Sequence, residues 1–338
     1  MNAMSTWINA LPRPLRTFGW LLRREFWENK GGFFWAPVIA GIVVCTLALL
    51  ASTAGALRMM RIEGRENFVK PAGEALSEHA DKLGLVGDGS LLSGVGVVGL
   101  VLGFVVFFYC LGSLFDDRRD RSILFWKSLP VSDVSTVLSK LAWALVLAPV
   151  LAVLVGIAIG AVLMCINAVM MSIMGGTTAG GWAMLSNSHP LRMVFNALSV
   201  IPVYACWALP AVGWLMLCSA FARSRFLWAV LVPVLTATLL SWSAILPGIS
   251  MPHGKIWYVL VYRGLLSVVP GTWYIDGGLV GRLAATAGTI ENPEDVARVL
   301  DLTHVWHIFG SADIWIGMAL GAAMIVAAIW LRKRAGTI

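Results

Sequence analysis

Six stretches of the chain contain no Asp, Glu, Lys, Arg or His, and each is about as long as a hydrocarbon core is thick, roughly 17 to 25 helical residues. They cover approximately 33–57, 91–114, 141–165, 194–221, 226–246 and 314–331. Lipid offers the backbone no hydrogen-bond partner, so such a run must be a helix or a strand of a closed barrel, and barrel strands alternate polar and apolar residues. These runs do not alternate. The pattern therefore predicts an all-α polytopic membrane protein with six transmembrane helices.

Before the first span, Leu15, Phe18, Leu22 and Phe26 fall on one helical face, while Arg16, Arg23 and Lys30 recur every seven residues beside Trp20 and Trp27. That pattern predicts an interfacial helix over 1–32 in the cytoplasmic headgroup layer, with a soluble helix capping the bundle as the alternative. Gly31 and Gly32 would bend the chain into the first span. The remainder, 33–338, reads as one six-span domain. Its polar loop 58–90 is expected to hold a short surface helix, and Gly175-Gly176 with Gly180-Gly181 to form a flexible connector.

The outward loop 247–313 has two parts. Ile256 to Pro270 is apolar but too short to cross and is interrupted by Arg263, which predicts a re-entrant segment before the last span. Asn292, Pro293, Glu294 and Asp295 form a helix start, with Val296, Val299, Leu300 and Thr303 on one face behind it.

Composition agrees. Of 338 residues 59% are apolar and 13% charged, with a mean hydropathy of +0.81, where soluble domains carry about a quarter charged residues. A soluble globular enzyme is excluded by that balance. The net charge of +7 could point to nucleic acid, but its distribution does not. The side holding both termini carries 15 basic and 6 acidic residues, a net of +9, and the other side a net of −2. Basic residues stay in the cytoplasm, so both termini are expected there, in the plasma membrane and specifically a bacterial inner membrane, and no nucleic-acid partner is expected. The first apolar run begins after residue 30 and is long enough to remain as an anchor, so no removable signal peptide is expected. Cys45, Cys110, Cys165, Cys206 and Cys218 all lie in the spans and read as packing residues.

Several motifs fail on context. Gly94-Val95-Gly96-Val97-Val98-Gly99 has the dinucleotide-binding spelling but lies inside an apolar span; close helix packing explains it, as it does Gly156 with Gly160 and Gly317 with Gly321. His304 and His307, with Asp301 behind them, lack a definite third metal ligand, so no metal site is assigned. No catalytic or cofactor-binding residue is assigned either. The phosphate-binding loop is absent: the only Gly-Lys, Gly254-Lys255, is followed by Ile256, so this chain alone is not expected to hydrolyse ATP. Ion-coupled carriers place ionisable groups at membrane depth, and these spans hold none. Hydroxyls such as Ser199, Thr236, Thr238, Ser241 and Ser243 are expected to bond back to their own helices.

One cytoplasmic loop, 115–140, carries a more specific signal. Asp116, Asp117, Arg118, Arg119, Asp120 and Arg121 precede Ser-Ile-Leu-Phe-Trp-Lys-Ser-Leu-Pro-Val-Ser-Asp, residues 122–133, and a Ser139-Lys140 entry to the next span. Ile123, Leu124, Phe125 and Trp126 put large apolar groups on the water side, as an anchor in the headgroup layer or as a short helix gripped by a soluble partner. Pro130 ends that helix, and Ser132 can cap the next.

This stretch resembles the loop of the permease subunits of ABC-2 type exporters, and the six spans, interfacial helix and outward re-entrant region resemble them more loosely. The resemblance implies a permease, likewise without ATP or Mg2+ of its own, working as a homodimer with a separate ATP-binding-cassette ATPase subunit that holds both. It assigns ATPase coupling to Arg118, Arg119, Asp120, Arg121, Ile123, Leu124, Phe125, Trp126 and Lys127. Because the family's path often involves the second and fifth spans, Tyr109, Thr238, Ser241 and Trp242 become candidates for lining a substrate path. Two other functions stay open at this point: a membrane-embedded enzyme with an outward-facing site near His304 and His307, and an ion-coupled secondary transporter.

Overall fold

Apolar runs without alternation satisfy their backbone groups internally, and the chain folds as helices. The computed structural model describes residues 13–63, 80–119, 131–174, 178–242, 253–273 and 302–334, and every regular element among the described residues is helical. In chain order they are α1 (Arg13–Glu28), α2 (Ala36–Glu63), α3 (Ala80–Arg119), α4 (Asp133–Ala142), α5 (Ala148–Met174), α6 (Ala179–Asn187), α7 (Pro190–Ser199), α8 (Ile201–Phe221), α9 (Val232–Trp242), α10 (His253–Trp257) and α11 (Ala312–Arg334). Wide π turns at Gly31–Trp35, Trp143–Leu147 and Leu227–Leu231 lead into α2, α5 and α9, and a fourth, Tyr258–Arg263, follows α10.

Five helical stretches are long and apolar enough to cross a membrane: Gly31–Arg58, Leu83–Arg119, Asp133–Ile173, Pro190–Phe221 and Ala312–Arg334. They correspond to the first, second, third, fourth and sixth predicted spans. The fifth is described as a shorter apolar helix, Leu227–Trp242, and the last residues of its predicted run lie outside the described residues. Ile42, Leu47, Leu50, Phe104, Leu239 and Val326 are among many large apolar side chains left exposed around the bundle. The chain thus has the character of a multi-pass membrane protein.

One span begins well before its predicted start, and one predicted connector is helix. α3 begins at Ala80, well before the predicted Leu91, and runs 40 residues, about 60 Å at ~1.5 Å per residue. The charge that set the predicted boundary, Asp88, is only 5% exposed; its carboxylate accepts the His189 backbone N–H at 2.7 Å, while Gly84 and Gly87 press on Asn187 and Ser188. Residues Gly180 and Gly181 are not a flexible connector. They are buried in α6, where a Cβ on Gly181 would stand 2.4 Å from the Ala168 carbonyl oxygen, so the small residues fasten α6 to α5. The predicted helix start at Asn292 to Asp295 lies outside the described residues.

The glycines inside the spans act as packing residues. A Cβ on Gly94 of α3 would approach Gly160 N to 2.4 Å and Gly156 O to 2.5 Å, and one on Gly160 would meet Leu91 O at 2.6 Å. α3 and α5 are therefore in backbone contact along this seam. α8 and α11 form a second seam, where a Cβ on Gly213 would meet Gly321 O at 2.6 Å and one on Gly321 would meet Leu209 O at 2.6 Å. Between the seams the core is apolar and aromatic, centred on Val98, Val106, Val203, Trp207, Val212 and Leu215.

The segment after α10 packs on this core. Tyr204 Oη donates to Val268 O (3.0 Å) and Trp207 Nε1 to Thr272 Oγ1 (3.0 Å), while Tyr262 Oη donates to Thr272 O and holds the return of the chain.

Candidate functional site

The face of α1 turned inward is centred on Leu21 and Glu25, 5% and 0% exposed, slightly rotated from the Leu15–Phe18–Leu22–Phe26 stripe predicted from the sequence. The outer face keeps the expected order: Arg23 lies over the Trp20 ring at 5.3 Å and Lys30 over Trp27 at 5.1 Å. Glu25 is thus a carboxylate in the middle of an apolar surface, which is costly unless it is paired.

Two of its partners come from distant places in the sequence and the third is its neighbour in α1. Tyr109 Oη of α3 donates to Glu25 Oε2 at 2.8 Å, Lys140 Nζ of α4 lies 3.2 Å from Oε1, and Arg24 Nη2 lies 2.7 Å from Oε1. The aromatic rings of Phe26, Phe33 and Trp143 pack around this pair, with Phe33 and Trp143 stacked at 5.3 Å and Phe33 edge-on to Tyr109 at 5.0 Å. Trp143 Nε1 donates to Leu22 O, tying α1 to the π turn below α5. Beside the site, burial pushes the half-exposed Glu28 carboxyl above its ordinary range, against the pull of Arg24.

Lys140 also lies 3.8 Å from Asp117 Oδ1 at the end of α3, and Asp117 Oδ2 pairs with Arg332 Nη1 of α11 at 2.8 Å. Arg332 Nε in turn reaches Asp133 Oδ1, the first residue of α4, at 3.2 Å. Three acids, Glu25, Asp117 and Asp133, and three bases, Arg24, Lys140 and Arg332, thus form one line joining α1, α3, α4 and α11. Its inner members are nearly sealed from water, with Glu25 at 0%, Lys140 at 3% and Arg332 at 4% exposed. Asp117 and Asp133 flank the loop whose sequence is the most specific in the chain, so one guanidinium holds both of its roots.

Around this line the sequence-predicted residues take different positions. Arg118 turns into the bundle, where Nη2 donates to Ser219 O (2.9 Å) and Ala222 O (3.0 Å) and caps the last carbonyls of α8. Ser219 Oγ accepts from the Leu114 and Phe115 backbone N–H groups at 3.0 and 2.9 Å, strengthening the same joint. Arg119 is exposed. Asp120, Arg121, Ile123, Leu124, Phe125, Trp126 and Lys127 lie outside the described residues. Ser132 caps α4 as predicted, its hydroxyl accepting from Ser135 N at 3.1 Å.

The candidate path residues are not brought together. Tyr109 is buried against Glu25, whereas Trp242 is 73% exposed. Thr238 bonds back to Leu235 O, as Thr236 does to Val232 O and Ser199 to Asn196 O, and Ser241 Oγ accepts from Trp257 Nε1. Among the described residues no three His, Cys, Asp or Glu side chains are grouped so as to hold a metal.

Sequence reasoning missed Glu25 and Arg332. The sequence marks Glu25 only as an acid on the apolar side of an amphipathic helix and Arg332 only as a base at the lip of a span, and neither pattern names a partner. By contrast Arg225 pairs with Asp116 at 2.8 Å while both are substantially exposed. Arg225→Ala is expected to change stability by no more than ~1 kcal/mol, and a larger loss in chemical unfolding would show this pair to belong to the buried line. No known family profile, curated protein or solved structure matches the chain.

Proposed function

We propose that the chain is the transmembrane permease subunit of an ABC-2 type exporter, with both termini cytoplasmic, acting as a dimer with a separate ATP-binding subunit that holds ATP and Mg2+. The observation that carries this reading is the clamp of Arg332 on Asp117 and Asp133, the two roots of the loop that resembles the family's coupling loop. A load on that loop acts directly on the ends of α3 and α4. Through Arg332 it reaches α11, and through Lys140 and Glu25 it reaches α1. Movement of the ATP-binding subunit would therefore be distributed to four helices at once, and the spans would need no titratable group of their own. Segment 253–273, packed on α8, is assigned to the outward side as the re-entrant region.

The grip on the partner is assigned to Phe125 and Trp126 within their rim of charge. The Phe125→Ala, Trp126→Ala double variant is expected to weaken binding of the co-expressed ATP-binding subunit by at least ~30-fold, the loss of a buried aromatic anchor worth ~2 kcal/mol. Affinity co-purification followed by titration measures it. Failure of any chain with a phosphate-binding loop to co-purify, or unchanged affinity in the double variant, overturns the assignment.

A further inference from the structure

On the side of α1 opposite Glu25, Arg16, Trp20, Arg23, Trp27 and Lys30 follow one another at alternating steps of four and three residues. At about 100° per residue they fall within an arc of about 80°. Asn29 N donates to Glu25 O and Phe33 N to Asn29 O, both at 3.1 Å, so the helix continues through Lys30 and keeps it on this face.

The two indoles are half exposed, Trp20 at 44% and Trp27 at 53%, and each lies under a cation, Arg23 at 5.3 Å and Lys30 at 5.1 Å. A ring beneath a cation fixes its position and leaves its net charge. The nearby acids are engaged elsewhere. Glu28 is held by Arg24 Nε at 3.1 Å, Glu25 faces Lys140, and Asp117 and Asp133 are held by Arg332. Among the described residues no carboxylate pairs with Arg16, Arg23 or Lys30.

The inner face of α1 sets the level of this stripe. Glu25 meets Lys140, and Lys140 meets Asp117, which Arg332 holds, so the middle of α1 stands beside the charged lips of three spans. Charge returns to a span at the headgroup layer, where exposed tryptophans also collect. We infer that this stripe is a binding surface for anionic phospholipids, whose phosphates lie along Arg16, Arg23 and Lys30 while Trp20 and Trp27 enter the boundary between headgroup and chain. Indoles set between cations match a layer that is wet on one side and apolar on the other, which the acidic surface of a soluble protein is not. The surface requires only that the bundle stand in a bilayer and is independent of the ATP-binding partner proposed above.

The test is native mass spectrometry of the full chain in mild detergent, titrated with phosphatidylglycerol or with phosphatidylcholine of the same acyl chains. Wild type is expected to retain phosphatidylglycerol with about fivefold preference for each lipid bound, the contribution of one basic residue near an anionic lipid. The triple variant Arg16→Gln, Arg23→Gln, Lys30→Gln is expected to bring the two lipids to near parity, and Arg16→Lys with Arg23→Lys to keep the preference. Arg223→Gln with Lys333→Gln, which removes two exposed cations elsewhere on the chain, is also expected to keep it. If the triple variant does not fold, Arg23→Gln and Lys30→Gln, each tested singly, must lower the preference. Equal retention of the two lipids by wild type, an unchanged preference in the stripe variants, or an equal loss in Arg223→Gln with Lys333→Gln, the mark of net charge alone, overturns the inference. So does loss of a co-purified ATP-binding subunit from the triple variant with its lipid preference intact, which would give the stripe to that protein.

Discussion

Glu25→Gln is expected to cost ~3 to 5 kcal/mol, because it strands the buried Lys140 ammonium in a site sealed from water, and Lys140→Met is expected to cost less, because Arg24 still holds the carboxylate at 2.7 Å. With Glu25 neutral, Lys140 keeps only the more distant Asp117 at 3.8 Å; with Lys140 gone, the carboxylate keeps Tyr109 and Arg24 but loses its buried cation. The double variant is expected to recover most of the loss. The glutamine amide oxygen still accepts from Tyr109, methionine fills the lysine stem's volume, and removal of both charges removes the desolvation cost of each. Titration of the purified protein with a denaturing detergent in mixed micelles measures all three. Additive losses in the double variant would show that Glu25 and Lys140 do not act on one another, and a Glu25→Gln loss under ~0.5 kcal/mol would show that water reaches the pair.

Gly160→Leu is expected to be at least as damaging. Overpacking a well-filled core by extra methylenes costs ~1 to 3 kcal/mol when side chains can shift. Here the obstacle is backbone: the first added carbon alone would lie 2.6 Å from Leu91 O and 2.7 Å from Leu91 Cα. Backbone atoms inside a helix cannot turn aside as a side chain can, so α3 and α5 must separate along the seam. Gly96→Ala supplies the control, because a Cβ there meets nothing within 4 Å. The seam account predicts loss of the monodisperse peak in gel filtration for Gly160→Leu and an unchanged profile for Gly96→Ala. Equal behaviour of the two variants would remove the account.

The seam was legible in the sequence because small residues one turn apart inside an uncharged span have few other uses. Helix class was legible for the same reason: length, lack of charge and lack of alternation leave one backbone solution. The start of α3 was not, since Asp88 reads as a boundary until His189, a hundred residues later, is seen to supply its hydrogen bond. Glu25 was hidden in the same way. Read locally it is one acid in a basic helix, and only the fold brings Lys140 and Tyr109 to it. Arg332 reads as one of three basic residues ending the last span, but it alone of that trio is assigned to both Asp117 and Asp133. Polar pairing between distant segments leaves no periodic mark, whereas burial does.

The π turn at Gly31–Trp35 has a geometric consequence for this pairing. It inserts one residue beyond the ordinary α count, so the azimuth of everything before it is offset by about 100° from where an uninterrupted helix would set it. α1 and α2 are nearly continuous, yet their inward faces follow different phases, and it is this extra residue that dials Glu25 round to meet Lys140. The turn is in effect the protein's angular setting screw: shortening it by one residue would turn the Glu25 carboxylate away from Lys140 by about 100°.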